Sequence, residues 1–214
     1  MSNLKLVIAM SLDGYVAGPS QSVENPLGIG GEALHEWAFA LEAWRAPHGL
    51  SGGEVNPSSK VMEDRLASVG ATIMGRNMFG GRPGPWSEQE PWNGWWGDDP
   101  PFHHPVFVLT HHPREPLVCE GGTTFTFVTD GIESALAQAR DAAGDKKISL
   151  AGGAEACREY LAAGLVDEMS IDLVPIFLGD GERLFDGLGV GNPKLAHVRT
   201  IDAPGVTHLE FARR

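Results

Sequence analysis

The chain has 214 residues, enough to bury one sizeable core without disulfide staples. Its formal charge of −12 and pI near 5.0 argue against nucleic acid or an anionic membrane as partners, while leaving room for a local basic pocket around a phosphate. The 28 glycines and 15 prolines imply many turns or long loops, and two cysteines, Cys119 and Cys157, make no disulfide framework.

No basic-then-apolar signal opens the sequence and no apolar run reaches membrane-spanning length, so a soluble cytoplasmic protein is expected. In chain order, Leu4 to Ser11 is nearly all apolar and predicts a strand buried on both faces. It leaves through a turn at Asp13 and Gly14. Gly31 to Arg45 predicts one helix, with Leu34, Trp37, Ala38, Leu41 and Trp44 along a face. Ser58 or Ser59 is the expected cap of a second helix that runs to about Val69. A short buried strand over Ala71 to Met74 follows, ending in Gly75-Arg76-Asn77.

Residues 80 to 105 have no period and hold four of the six tryptophans. Disordered segments are poor in aromatics, so this insertion is expected to be ordered. Its tryptophans pack over a pocket, against a second subunit, or simply over the edge of the domain's own core. Strands are predicted at Val106 to Thr110 and Phe125 to Thr129, with a capping box of Asp130 and Glu133 before a helix over Ile132 to Ala143. Ile148 to Ala151 is a strand that runs through Gly152-Gly153 into a helix over Ala154 to Ala163, stopped by Gly164. Cys157 falls on the apolar stripe of that helix, as a core thiol. Val166 to Phe177 is a long strand, with Pro175 suggesting a bulge or edge. Leu195 to Ile201 and Thr207 to Ala212 close the chain as an antiparallel hairpin. The order predicts a single α/β domain of three αβα layers, its mixed, mostly parallel sheet covered by helices on both faces.

Ligands of open α/β sheets bind at the carboxyl ends of strands. Here those ends carry Ala9-Met10, Gly75-Arg76-Asn77, Thr110-His111-His112 and Gly152-Gly153. Bare backbone donors at a helix start, a hydroxyl and cations are what a phosphorylated ligand needs. A tight connection without a ligand is the bland alternative for the glycine pair. His103-His104 and His111-His112 flank a strand of roughly 20 Å and so lie at opposite ends, which argues against a shared metal. Gly187 to Gly191 is glycine-rich but does not lead a strand into a helix, so it is no dinucleotide fingerprint. Asp172 interrupts the apolar run MSIDLVPIF, where a charge is costly unless paired. It is either a functional acid or a satisfied structural one, and Glu36 on the first helix has the same two readings.

The segments SLDGYVAG at 11–18, IMGRNMF at 73–79, PVFVLTHHPRE at 105–115, LAGGAE at 150–155 and LVDEMSIDLVPIFLGDGERLF at 165–185 carry a resemblance. In their order, they resemble the dihydrofolate reductase-like superfamily, and more closely bacterial proteins related to the reductase domain of riboflavin biosynthesis. The resemblance implies an NADPH-dependent reductase acting on a small heterocycle such as a pterin, a pyrimidine or a related imine or ketone, commonly as a homodimer. It implies that Gly152 and Gly153, joined by a cis peptide and leading into Ala154 and Glu155, lie under the cofactor pyrophosphate. Gly75, Arg76 and Asn77 would meet the pyrophosphate and the 2′-phosphate, with Thr110, His111 and His112 beside the latter. Ala9 and Met10 would hold the nicotinamide amide, and Asp13-Gly14 would form the loop that closes over it. Asp172 and Glu36 are the candidate acids. A nucleotide-binding or interaction protein of the same fold without catalysis is the alternative.

Overall fold

The computed structural model describes residues 2–89, 91–189 and 194–214. Nine strands form one sheet. They are β1 (Leu4–Ser11), β3 (Val69–Gly75), β4 (Pro105–Leu109), β5 (Leu117–Val118), β6 (Thr124–Val128), β7 (Lys147–Leu150), β8 (Glu168–Val174), β10 (Leu195–Ala203) and β11 (Val206–Arg213), in the spatial order β10-β11-β8-β1-β7-β3-β4-β6-β5. A separate pair joins β2 (Tyr15–Ala17) to β9 (Glu182–Arg183). From β8 across to β6 every neighbouring pair is parallel, so six carboxyl ends meet one edge. The closing hairpin of β10 and β11 adds antiparallel to β8.

Alternation along the strands divides the side chains between two faces. Leu4, Leu6, Ile148, Leu150, Ala71 and Ile73 point to one face and are fully buried. There they meet α5 (Ile132–Ala143) and α6 (Ala154–Ala162) through Ala135, Leu136, Ala139, Cys157 and Tyr160. The Tyr160 hydroxyl spans the two helices by donating to the Ile132 carbonyl at 2.8 Å. Burial pushes the Cys157 thiol up to about 12, as an unreactive core thiol requires.

The opposite face has three zones. Under α3 (Pro57–Ser68) lie polar side chains of β8 and β11, among them Ser170, Asp172 and His208. Under the tryptophan insertion lies an aromatic core of Met74, Val106, Val108, Phe125 and Phe127, together with Phe79 of the one-turn helix α4 (Arg76–Phe79). Trp86, Trp92 and Trp96 pack against this core, and the Trp92 and Trp95 indoles donate to the Phe79 and Met78 carbonyls. The tryptophans therefore cover the edge of their own domain's core. Between these zones a hollow lies over β1, β7 and β3.

Several local expectations change. Residues 31–45 are not one helix but a 3-10 turn (Gly31–Leu34) and two four-residue helices, α1 (Glu36–Phe39) and α2 (Glu42–Arg45). Leu41 is extended, with φ −77° and ψ 139°. The returning loop intercepts the chain there: the Glu54 N–H donates to the Ala40 carbonyl, and the Glu54 carbonyl accepts from the Glu42 N–H. The apolar spacing survives the break, since Leu34, Ala38 and Leu41 are all buried. The cap of α3 is Asn56, whose Oδ1 accepts from the Ser58 N–H, while the Ser59 hydroxyl accepts from the Asn56 N–H. Asp130 and Glu133 form no capping box, because Gly131 at φ 90° takes the cap position and no side chain caps the helix. Pro175 makes no bulge; β8 ends one residue before it, and the sheet's hairpin irregularity falls between His197 and Arg199. The glycine-rich run from Gly187 passes at Val190 and Gly191 outside the described residues.

Asn56→Ala should lower stability by about 1 kcal/mol, while Asn56→Asp keeps most of it. Urea titration measures both, and an unchanged midpoint in the alanine variant would show that α3 does not depend on this cap.

Candidate functional site

The adjacent tips of β1, β7, β3 and β4 carry the residues singled out from the sequence. Gly75 and Gly152 touch directly, the Gly75 N–H donating to the Gly152 carbonyl at 2.7 Å. One residue earlier the Ala151 N–H donates to the Ile73 carbonyl at 3.0 Å. The Gly152–Gly153 peptide is cis. A Cβ on Gly75 would stand 3.4 Å from the Ala156 Cβ and 3.6 Å from the Gly153 nitrogen, so this contact is close to backbone-on-backbone. Around Gly153 the space is open. Gly153 is the N-cap of α6 and brings no side-chain cap. The first amides of a helix lack intrahelical partners, so those over Ala154 and Glu155 remain for a ligand.

Arg76 opens α4 beside this junction. Its guanidinium carbon lies 3.4 Å from the Trp86 ring centroid, and its Nη atoms donate to the Gly80 and Arg82 carbonyls. Its Nε is buried without a partner. Arg114, just past the tip of β4, lies 5.0 Å from the same ring and donates to the Trp92 carbonyl and the Asn93 Oδ1. The Trp86 indole donates to the His112 carbonyl at 2.8 Å. The His112 N–H in turn donates to the Thr110 hydroxyl at 3.2 Å. Burial, and then the nearby charge of Arg114, pull the Arg76 pKa down to about 10. Among the described residues no carboxylate pairs with either arginine. Arg76, Thr110 and His112 thus share one surface, His111 is exposed next to them, and Asn77 is exposed on α4.

At the tip of β1, Ala9 is buried and Met10 half-buried. Asp13 is fully engaged: it accepts from the Ser11 hydroxyl at 2.5 Å and from the Leu178 and Gly179 amides. The Ser11 hydroxyl lies foremost among the bonds that lower its pKa. Gly14, at φ 88°, accepts from the Leu184 N–H. The 11–14 loop is therefore clipped to the segment after β8.

Asp172 is buried, and both of its oxygens are engaged. Arg65 of α3 binds it through two nitrogens at 2.7 and 2.8 Å, and its Nη2 also donates to the Ser170 hydroxyl at 2.6 Å. His208 Nδ1 lies 2.6 Å from the Asp172 Oδ1, and its Nε2 lies 2.9 Å from the Ser58 hydroxyl. Trp37 packs edge-on against the His208 ring at 5.1 Å. Burial pushes the Asp172 carboxyl up, but the Arg65 charge and the hydrogen bonds from Arg65 and His208 outweigh it and hold the pKa below the usual range. Glu36 is exposed on α1. Its neighbour His35 turns inward, with Nδ1 buried and unpartnered and its pKa lowered by burial.

The family model for the RibD C-terminal domain matches residues 3–207. The chain belongs to the RibD C-terminal domain family. No curated protein matches the sequence. Among solved structures, a candidate riboflavin biosynthesis protein from Shewanella sp. PV-4 superposes with a TM-score of 0.60 at 22% identity, covering 100% of this chain and 99% of its own. A diaminohydroxyphosphoribosylaminopyrimidine deaminase/5-amino-6-(5-phosphoribosylamino)uracil reductase from Thermotoga maritima gives 0.58 at 15% identity, and this chain spans 57% of its length. At such identities the likeness is one of fold.

In this RibD C-terminal domain the sequence marked the tryptophans, Trp86 among them, only as packing residues; it did not single out Arg114, the sharing of Trp86 by two arginines, or Arg65, His208 and Ser58 as partners of Asp172. Trp86 lies in an insertion without period, so nothing local marks that contact. His208 left a signal: like Asp172 it is a polar residue inside an apolar strand, and the two are register partners. His104 meets Thr72 on the side of the hollow, away from His111 and His112. Among the described residues no cluster of His, Cys, Asp or Glu is arranged to hold a metal, and no helix is long and apolar enough to cross a membrane.

Asp172→Asn should cost about 3–5 kcal/mol, since it leaves the buried Arg65 charge uncompensated. Because the folded carboxyl titrates below the unfolded value of about 3.9, its stabilisation is complete above that pH and is lost as pH falls through the folded value. Acid denaturation of the wild type should therefore steepen below about pH 4 and flatten in the variant; identical acid profiles would refute the assignment.

Proposed function

We propose that this protein is an NADPH-dependent reductase of a small heterocyclic imine or ketone, acting as a cytoplasmic homodimer. The carrying observation is the meeting of bare glycine backbone and a carboxylate-free arginine pair at one row of strand tips. In this reading Gly152, Gly153 and the first amides of α6 hold the pyrophosphate. Arg76 and Thr110, with Arg114 and the His111–His112 backbone, hold the 2′-phosphate. The buried, unpartnered Nε of Arg76 and the open space at Gly153 fit such an anion. Ala9 and Met10 offer strand-end backbone groups to the carboxamide. The bound reduced nicotinamide supplies a hydride, and the chain's part is to orient it, exclude water and shape the substrate space. Asp13 contributes by fixing the 11–14 loop over that space rather than by touching the substrate.

One observation favours a second reading, nucleotide binding without chemistry. Asp172 is closed off by Arg65 and His208, and Glu36 faces solvent, so neither presents a free acid to a substrate. In the reductase reading the proton then comes from water. Titration with NADPH and NADH by fluorescence, followed by the nicotinamide absorbance with candidate substrates, separates the two.

Arg76→Ala should weaken NADPH by about ten- to a hundredfold, the worth of hydrogen bonds to a charged group, and NADH by much less. Equal weakening of both would show that Arg76 does not reach the 2′-phosphate, and no stabilisation by either cofactor would end the reductase reading.

A further inference from the structure

The hollow on the α3 face is a cavity of about 180 Å³ between α3 and the end of the tryptophan insertion. Its floor is Lys5 and Val7 of β1, Thr72 of β3, and Lys147, Ser149 and Ala151 along β7. Its walls are Leu66 and Val69 on one side and Pro101 and Phe102 on the other. Ala151 immediately precedes Gly152, so the upper end of the cavity adjoins the strand-tip junction. The lower end continues into an outer, more polar cavity of about 450 Å³ that includes His103 and Lys146.

Four groups with charged or basic heads line the inner cavity, and each is held by a partner, with only the buried Nε of Arg65 left unpartnered. The Lys147 ammonium is paired with Glu168 at 2.5 Å, and that of Lys5 with Glu210 at 3.5 Å. Arg65 is spent on Asp172 and Ser170. His104 Nε2 shares a hydrogen bond with the Thr72 hydroxyl at 2.8 Å. Burial, and the charges of Lys146 and His103, pull the His104 pKa down to about 4, so it stays neutral at physiological pH. What remains facing the space is mostly carbon: lysine stems, Val7, Leu66, Val69, Phe102 and Ala151. A carbon-lined cavity of roughly 150 Å³ takes one benzene ring. An anion there would have to break an existing ion pair in a poorly solvated site.

We infer that the inner cavity is the substrate's ring pocket and that it selects an uncharged, planar molecule of one or two rings over a ring that carries a charged substituent. This rests on the reductase reading, since only there does a ring beside Ala151 lie next to a nicotinamide. A phosphorylated sugar on the ring has no free cation to meet inside.

The test uses the full chain with two probes, indole as a neutral planar ring and uridine 5′-monophosphate as an anionic pyrimidine. Each is followed by methyl NMR of labelled Val, Leu and Ala, and NADPH binding is measured separately by fluorescence. Indole should bind saturably and shift the Val7, Leu66, Val69 and Ala151 methyls, while the nucleotide leaves them in place. Ser149→Leu, which fills the floor, should weaken indole by about tenfold or more. If that variant fails to fold, Leu66→Ser at the exposed rim should weaken indole several-fold. Stronger shifts of these methyls by the nucleotide than by indole would overturn the inference, as would indole binding elsewhere. NADPH binding with an unresponsive cavity overturns this inference alone. An occupied cavity with no binding of either nicotinamide cofactor overturns the reductase reading, and the substrate assignment with it.

Discussion

The hydrogen bond from the Gly75 amide to the Gly152 carbonyl is the contact on which the strand-tip arrangement turns. It fastens the exits of β3 and β7 together at the point where both chains start helices. A Cβ at position 75 would lie in van der Waals contact with Ala156 and the Gly153 amide, so the two strand exits are closely packed there. Once they meet, Arg76 on one helix start and the uncapped amides of α6 on the other are brought side by side. The parallel pairing from β8 to β6 then fixes where β1 and β4 deliver Ala9 and Thr110. The gathering of bare backbone amides and arginines at this edge is thus a consequence of topology acting on a few glycines, and no single side chain creates it.

The sheet's two faces divide the work of stability and of function. One face is aliphatic, packs on α5 and α6, and buries most of the large apolar side chains. That leaves the other face free to carry polar groups and empty space, both of which cost stability. The Ser58–His208–Asp172–Arg65 chain illustrates the terms. Apart from the Arg65 Nε, its side-chain polar atoms have partners, so burial is tolerated, yet removing the carboxylate strands a charge. The same chain ties α3 to β8 and β11 and so holds the Leu66 and Val69 wall at a fixed distance from the sheet. Phe102, packed on Trp96 and Phe125, holds the facing wall. The cavity exists because these two anchors are of different chemistry and do not close on each other.

The sequence was informative where a residue's neighbours in the chain are also its neighbours in space. The apolar runs gave β1, β3, β4, β6 and β7, and the glycine pair after Leu150 gave the strand-to-helix turn. It failed where a distant segment intervened. The helix expected over Gly31 to Arg45 is cut at Leu41 by Glu54, and no periodicity within 31–45 could show that. The same holds for Asp172: its cost when unpaired was visible, but Arg65 is 107 residues away and His208 lies on another strand. Arg114 was passed over because it follows two histidines and a proline in what reads as a solvated turn. Its importance comes from sharing Trp86 with Arg76, a contact made by an insertion whose order is aromatic rather than periodic.

The overall charge of −12 is no obstacle to a polyanionic cofactor at this edge. At physiological salt, charges further than about 8 Å apart are largely screened from one another. A dinucleotide reaching the strand tips therefore responds mainly to Arg76 and Arg114, while the acidic remainder of the surface contributes little. Burial first, and then the charge of Arg114, lower the Arg76 pKa, and burial lowers that of Arg114. Trp86 keeps them near one another by offering its ring to both, and loop carbonyls hold their Nη atoms. On the reductase reading, a doubly charged phosphate beside both guanidinium groups would offset their repulsion, which a neutral hydroxyl in its place would not. A preference for a 2′-phosphate over a 2′-hydroxyl would, on that reading, follow from two like charges being held together.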